Sequence, residues 1–156
     1  MAAVGISLTA CARKTESKSM DGAKILVAYF SATGTTERVA GEIAEATGGQ
    51  LYEIVPEKGY TSADLNWNDD RSRSSLEMNN PQSRPALGGS PVDVAAYGVV
   101  FIGYPIWWDQ APRIVNTFIE SHDLKGKTVI PFATSGGSGI SNSVEVLRSA
   151  YPGLNI

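Results

Sequence analysis

Apolar residues fall in short unbroken runs separated by segments of helical period. Lys24-Ile-Leu-Val-Ala-Tyr-Phe30 carries β-branched and aromatic residues without a polar break, the pattern of a strand buried on both faces. Val39, Ala40, Ile43 and Ala44 then recur at helical spacing, with Glu37, Arg38, Glu42 and Glu45 on the other side, and Gly48-Gly49 closes the helix. Leu51 to Val55 predicts a second strand, stopped by Pro56. Tyr97 to Tyr104 and Thr128 to Ala133 predict two more buried strands. Between them Ile114, Val115, Phe118 and Ile119 give a helical face, with Pro112 suited to its first turn. Asn142, with Glu145 three residues on, reads as a capping-box start for a last helix carrying Val144, Leu147 and Arg148.

The segment 57–92 has no clear period and is rich in Asn, Asp, Ser, Arg and Pro. A connection of that length in a compact domain is uncommon and is often functional. The order is therefore β-α-β, long connection, β-α-β-α, which calls for a parallel sheet with helices on both faces. In such sheets ligands sit beyond the carboxyl ends of the strands, where strand order reverses. Three unusual loops, 31–36, 105–112 and 135–139, all follow strand C-termini and should converge on one edge.

Composition narrows the chemistry. A chain of 156 residues is one domain in size. Cys11 is the sole cysteine and His122 the sole histidine, so neither a disulfide nor a cysteine metal cluster can form within the chain. A hydrolytic triad would have to be built on His122, which lies beside Asp123 at a helix end, and Gly-x-Ser-x-Gly is absent. His122 suits the negative end of a helix dipole better than catalysis. Outside residues 1–20 there are 10 basic and 15 acidic side chains, a balance unsuited to nucleic acid. No run of 18 apolar residues is present to span a membrane.

Residues 1–20 read as a segment apart from the domain at 21–156. Leu8-Thr9-Ala10-Cys11 resembles the lipobox of bacterial lipoproteins, with Ala12 to Asp21 as a polar tether. That resemblance implies a lipid anchor at Cys11 and a location at a membrane outside the cytoplasm. The apolar run is short and no basic residue precedes it, so the alternative is a cytoplasmic protein starting at Met20.

The loop Ser31-Ala-Thr-Gly-Thr-Thr36 joins a strand to a helix N-terminus, whose free N–H groups and positive dipole end suit phosphate. Gly34 permits close approach, hydroxyls stand at four of six positions, and no Lys follows, so this is not a nucleoside-triphosphate loop. In Gly103-Tyr-Pro-Ile-Trp-Trp-Asp-Gln-Ala-Pro112 two adjacent tryptophans cannot both enter one core, which leaves at least one to cover a flat ligand. Ser135-Gly-Gly-Ser-Gly139 offers main-chain groups to a ring edge.

The first loop resembles the phosphate loop of flavodoxins, and the second the flavin loop of flavodoxin-family oxidoreductases, where Gly-x-Pro-x-Trp-Trp recurs. The resemblance runs from Lys24 to about Tyr151. It implies a three-layer α/β/α sandwich with strand order 2-1-3-4 and FMN as cofactor. It also implies phosphate ligation by Ser31, Thr33, Gly34, Thr35 and Thr36. Pro105, Ile106, Trp107 and Trp108 would touch the isoalloxazine, and Ser135, Gly136, Gly137 and Gly139 its other side. The segment Tyr60 to Arg84, with Trp67, Asp69, Asp70, Arg71, Arg73 and Arg84, resembles an insertion near the flavin in some relatives. It could shape a substrate pocket, a lid or only a solvated surface.

Flavodoxins continue with a fifth strand and a final helix, whereas Pro152 to Ile156 suffices only to begin a strand. The edge beside the fourth strand would then be open to a partner, a homodimer included. The resemblance implies electron transfer, or two-electron reduction of a small acceptor such as a quinone. Residues 105–112 lack the glycine of the mobile loop in one-electron carriers and are bracketed by prolines, which favours two-electron chemistry. The alternative is a flavodoxin-fold binding module without a redox role.

Overall fold

The computed structural model describes residues 22–156, so the lipobox-like segment, Cys11 and Met20 lie outside the described residues. Strands β1 (Lys24–Tyr29), β2 (Gln50–Glu53), β3 (Tyr97–Pro105) and β4 (Thr128–Thr134) form one parallel sheet in the order β2-β1-β3-β4. Helices α1 (Thr35–Thr47), α2 (Arg73–Asn79), α3 (Arg113–Ser121) and α4 (Ser141–Ala150) connect or follow them. A single turn of 3-10 helix at Val94–Ala96 leads into β3.

Alternation along the buried strands feeds two cores. Leu26, Ala28 and Phe30 join Val100, Ile102 and Tyr104 against Ile114, Val115 and Phe118 of α3 and Leu147 of α4. Ile25, Val27 and Tyr29 point the other way, onto Ala40 and Ala44 of α1. Both sides are apolar because each side of the sheet carries a helix, which explains the unbroken runs in the sequence. β2, at the sheet edge, is mostly exposed and ends one residue before the buried Ile54. Gly103 has a packing reason: a Cβ there would lie 2.1 Å from the Phe132 ring, which crosses β3 at the paired position on β4.

Expected boundaries hold to within one or two residues, with two corrections. The segment 57–92 is not structureless, because it contains α2. No period betrays that helix, since two of its three buried residues are Ser74 and Ser75, beside Met78. Those serines are satisfied locally: Ser75 Oγ donates to Asp69 O at 2.7 Å, and the N-cap hydroxyl of Ser72 accepts from Ser75 N–H. Asn142 is not a cap either. Ile140 takes the N-cap position without a side-chain bond, and Asn142 lies inside the helix with its amide turned elsewhere. His122 does end α3, its Nδ1 2.7 Å from Phe118 O and its ring against the Phe118 ring.

At the far side of β4, Thr128 makes a single parallel bridge to Asn155, and Val129 N–H donates to Asn155 O at 2.9 Å. Nearby, Arg84 donates through Nε and a terminal nitrogen to both oxygens of Glu120, which also accepts from Tyr151 Oη–H. These donors, Arg84 foremost, hold the Glu120 carboxyl below its ordinary value of 4.5. A lowered folded-state value adds stability above pH 4.5 that is lost as pH falls through the folded value. The Glu120→Gln variant should therefore melt below wild type at pH 7, and the gap should close as pH falls below 4.5 through the folded value. A gap independent of pH would show that the carboxylate charge contributes nothing.

Candidate functional site

The loops that leave β1, β3 and β4 meet at one sheet edge, as their positions after parallel strands require. The link is direct: Thr36 Oγ1, at the start of α1, lies 2.8 Å from Thr134 Oγ1 at the end of β4. Thr36 is buried, so its hydroxyl ties two loops together beneath the surface and a ligand could meet only its backbone N–H. Thr33, Gly34 and Thr35 are exposed.

Gly34 caps α1 with φ +91°, a conformation that glycine adopts at no steric cost. No side chain caps this helix. Arg38 N–H makes the first bond back, to Gly34 O at 3.1 Å, so the N–H groups of Thr35, Thr36 and Glu37 precede the intrahelical ladder. Ser31 Oγ instead folds the loop, accepting from Gly34 N–H at 3.0 Å. An uncapped helix start with two exposed hydroxyls fits a terminal phosphate.

The second loop is a two-residue hairpin. Trp107 and Gln110 exchange N–H···O bonds, each of 2.9 Å, around Trp108 and Asp109, whose φ values are +46° and +61°. These are the only non-glycine residues with positive φ among the described residues. The turn is of the kind that normally takes Asn-Gly. Left-handed geometry costs roughly 1–2 kcal/mol for a residue with a Cβ, and Asp tolerates it better than Trp. Strain of this sort persists only where surrounding contacts hold it. Here Ile106 N–H donates to Thr134 O at 2.9 Å, and Trp107 packs edge-on against Phe30 and Tyr60 at 5.6 and 5.4 Å. Trp108 is left 42% exposed, the free tryptophan that adjacency demanded.

A cavity of about 530 Å³ opens beside it, a volume usual for small-molecule sites. Ile106, Trp107 and Trp108 form one wall and Ser135 to Ser138 another. Leu65, Trp67 and Ser74 close it from the segment between β2 and β3. No charged side chain lines it. Pro105 belongs to β3 and Gly139 precedes α4, and neither lines the cavity; the phosphate-type loop stands outside it as well. Ser135 Oγ accepts from the N–H groups of Gly137 and Ser138 at 3.1 and 2.8 Å, so two donors expected to face a ring are engaged within the loop. Leu65 and Ser74 were not legible as site residues, because only the fold of α2 brings them round.

Behind the tryptophans the 60–84 segment is pinned by charge. Arg73 lies 3.8 Å over the Tyr60 ring, donates to Glu77 and reaches Lys58 O, while Tyr60 Oη–H donates to Glu77. Burial, then Glu77, pushes the Tyr60 phenol far up, so it stays a hydrogen-bond donor at any physiological pH. Arg113, 5% exposed, donates to Glu77 O and Met78 O at 3.3 and 2.9 Å and to Gln110 at 3.2 Å. It thus places a cation at the carbonyl end of α2 and joins α2 to the tryptophan turn. Asp69, Asp70 and Arg71 are exposed on the outer turn of the segment.

Comparison with solved structures places this architecture. A candidate flavoprotein from Bacteroides eggerthii shares 65% identity over 85% of this chain and 84% of that one, with a TM-score of 0.84. A second, from Bacteroides uniformis, shares 60% over 85% of each chain, also with a TM-score of 0.84. A Lactobacillus acidophilus flavoprotein solved in complex with FMN shares the fold at 24% identity, covering 85% of this chain and 89% of that one, with a TM-score of 0.69. No curated protein matches the chain. The flavodoxin family model matches residues 24–156, from the first residue of β1 through every loop described above, and the chain belongs to the flavodoxin family.

Proposed function

We propose that the chain binds FMN and uses it to reduce a small, uncharged acceptor of the quinone kind by two electrons. The observation that carries this reading is the meeting, at one sheet edge, of an uncapped helix start and an uncharged cavity walled by Trp107 and Trp108. When bound, FMN supplies the redox chemistry, and the protein supplies binding, orientation and electrostatics.

Thr33 and Thr35, with the first N–H groups of α1, hold the phosphate. Ile106 and Trp108 cover the ring system, and Trp107 is the fixed wall, wedged between Phe30 and Tyr60. Leu65 and Trp67 exclude water from the outer side, and the lack of lining charge selects a neutral acceptor over an ionic one. A flavin loop held between Pro105 and Pro112, with no glycine in its turn, favours paired electron transfer over single steps. A lipid anchor at Cys11 would set this domain at a membrane surface, within reach of lipid-soluble acceptors.

The test is titration of the purified full chain with FMN, read by quenching of flavin fluorescence, followed by stepwise anaerobic reduction. The expected result is stoichiometric quenching and direct conversion of oxidised to fully reduced flavin. Accumulation of one-electron-reduced flavin would make the protein a carrier. A chain that leaves FMN fluorescence untouched would overturn the cofactor assignment and favour a flavodoxin-fold binding module.

A further inference from the structure

Asn142 stands in the first turn of α4, exposed, at a position where its amide is not needed to cap the helix. Its Nδ2–H donates instead to Asp109 O at 2.9 Å, across 33 residues of chain. Asp109 is the second residue of the left-handed Trp108–Asp109 pair, the one strained non-glycine turn among the described residues. The bond also spans the cavity's two walls, since Ser135–Gly139 runs straight into α4 and Trp108 heads the facing loop.

We infer that Asn142 is a positioning residue for the flavin loop: its amide holds the Trp108–Asp109 turn left-handed and so sets Trp108 at the cavity mouth. The inference rests on the FMN reading for its consequence in binding, and on geometry alone for the clamp itself. The local sequence does not choose this turn, because neither Trp nor Asp supplies what Gly would at the same place. The Trp107–Gln110 bonds close the hairpin, and Asn142 is the side chain that reaches its outer carbonyl.

The test uses the full chain, with Asn142→Ala, Asp109→Gly and the double variant. Alanine is at home in a helix, so the first change leaves α4 formed. Loss of one hydrogen bond should raise amide exchange of Gln110, which closes the turn onto Trp107 O, by about fivefold. FMN affinity should fall by a similar factor of about five. Glycine at 109 favours the left-handed turn without help, so the double variant should regain both exchange protection and affinity.

Unchanged Gln110 exchange in Asn142→Ala would overturn the clamp, as would failure of Asp109→Gly to restore it. Exchange that responds as expected, in a chain that does not take up FMN, would leave the clamp standing and sink the cofactor reading instead. Faster unfolding or a lower Tm with unaltered exchange at Gln110 would mark Asn142 as a general stabiliser and refute a positioning role.

Discussion

Changing Thr33 and Thr35 together to alanine is expected to weaken FMN binding at least about a hundredfold, since hydrogen bonds to a charged group contribute roughly 1.5–3 kcal/mol each. Both side chains are exposed, so the fold should be unaffected. Riboflavin, which lacks the phosphate, is the control: its affinity should not change. Equal losses for FMN and riboflavin would mean that the threonines act on the ring or on the loop and not on phosphate. Thr36 is left out of the pair because its hydroxyl is buried against Thr134, where alanine would unlink two loops and confuse the readout.

The second large effect is one of stability. Arg113→Met keeps the volume of the side chain but removes the bonds it donates to Glu77 O, Met78 O and Gln110. Leaving Met78 O without its donor, with loss of the charge-assisted bonds to Glu77 O and Gln110, should cost about 3 kcal/mol. For a domain of this size that is about 10 °C in Tm. Burial already pulls the guanidinium below its usual range, which shows that its desolvation is not free. Arg113→Lys should restore little, because a point ammonium cannot span two successive carbonyls as the guanidinium fork does. A thermal melt within about 2 °C of wild type for Arg113→Met would refute the capping role.

Much of this was legible in the chain. Unbroken runs such as Ile25–Phe30 and Val99–Tyr104 are strands because both faces meet helices, and their parallel order forces the loops after them to one edge. Trp107 and Trp108 could be divided between packing and exposure by adjacency alone, and the division is as observed. What stayed hidden depended on partners distant in sequence. α2 buries serines whose bonds go to its own turn, so hydropathy carries no trace of it. Asn142 looked like a cap because its spacing to Glu145 is that of a capping box, yet a carbonyl at Asp109 competes for its amide. Thr36 looked like a phosphate hydroxyl, and only the neighbouring end of β4 shows that its bond is already made.

The segment between β2 and β3 is fastened unevenly. From Arg73 onward it is tied down at Tyr60, Glu77, Arg113 and Glu120, and Asp69 O is held by Ser72 and Ser75 at the start of α2, whereas Asn66 and Asn68 bond only within their own turn. Leu65 and Trp67, the residues that face the cavity from this side, therefore sit on a stretch, Leu65 to Asn68, whose own bonds stay local. If the proposed FMN reading holds, selection could redraw it from one descendant to the next, exchanging the acceptor while leaving the phosphate loop and Trp107 unchanged. The molecule is in that sense a socket with an interchangeable faceplate, and loops transplanted between Leu65 and Asn68 are where new substrates would be sought.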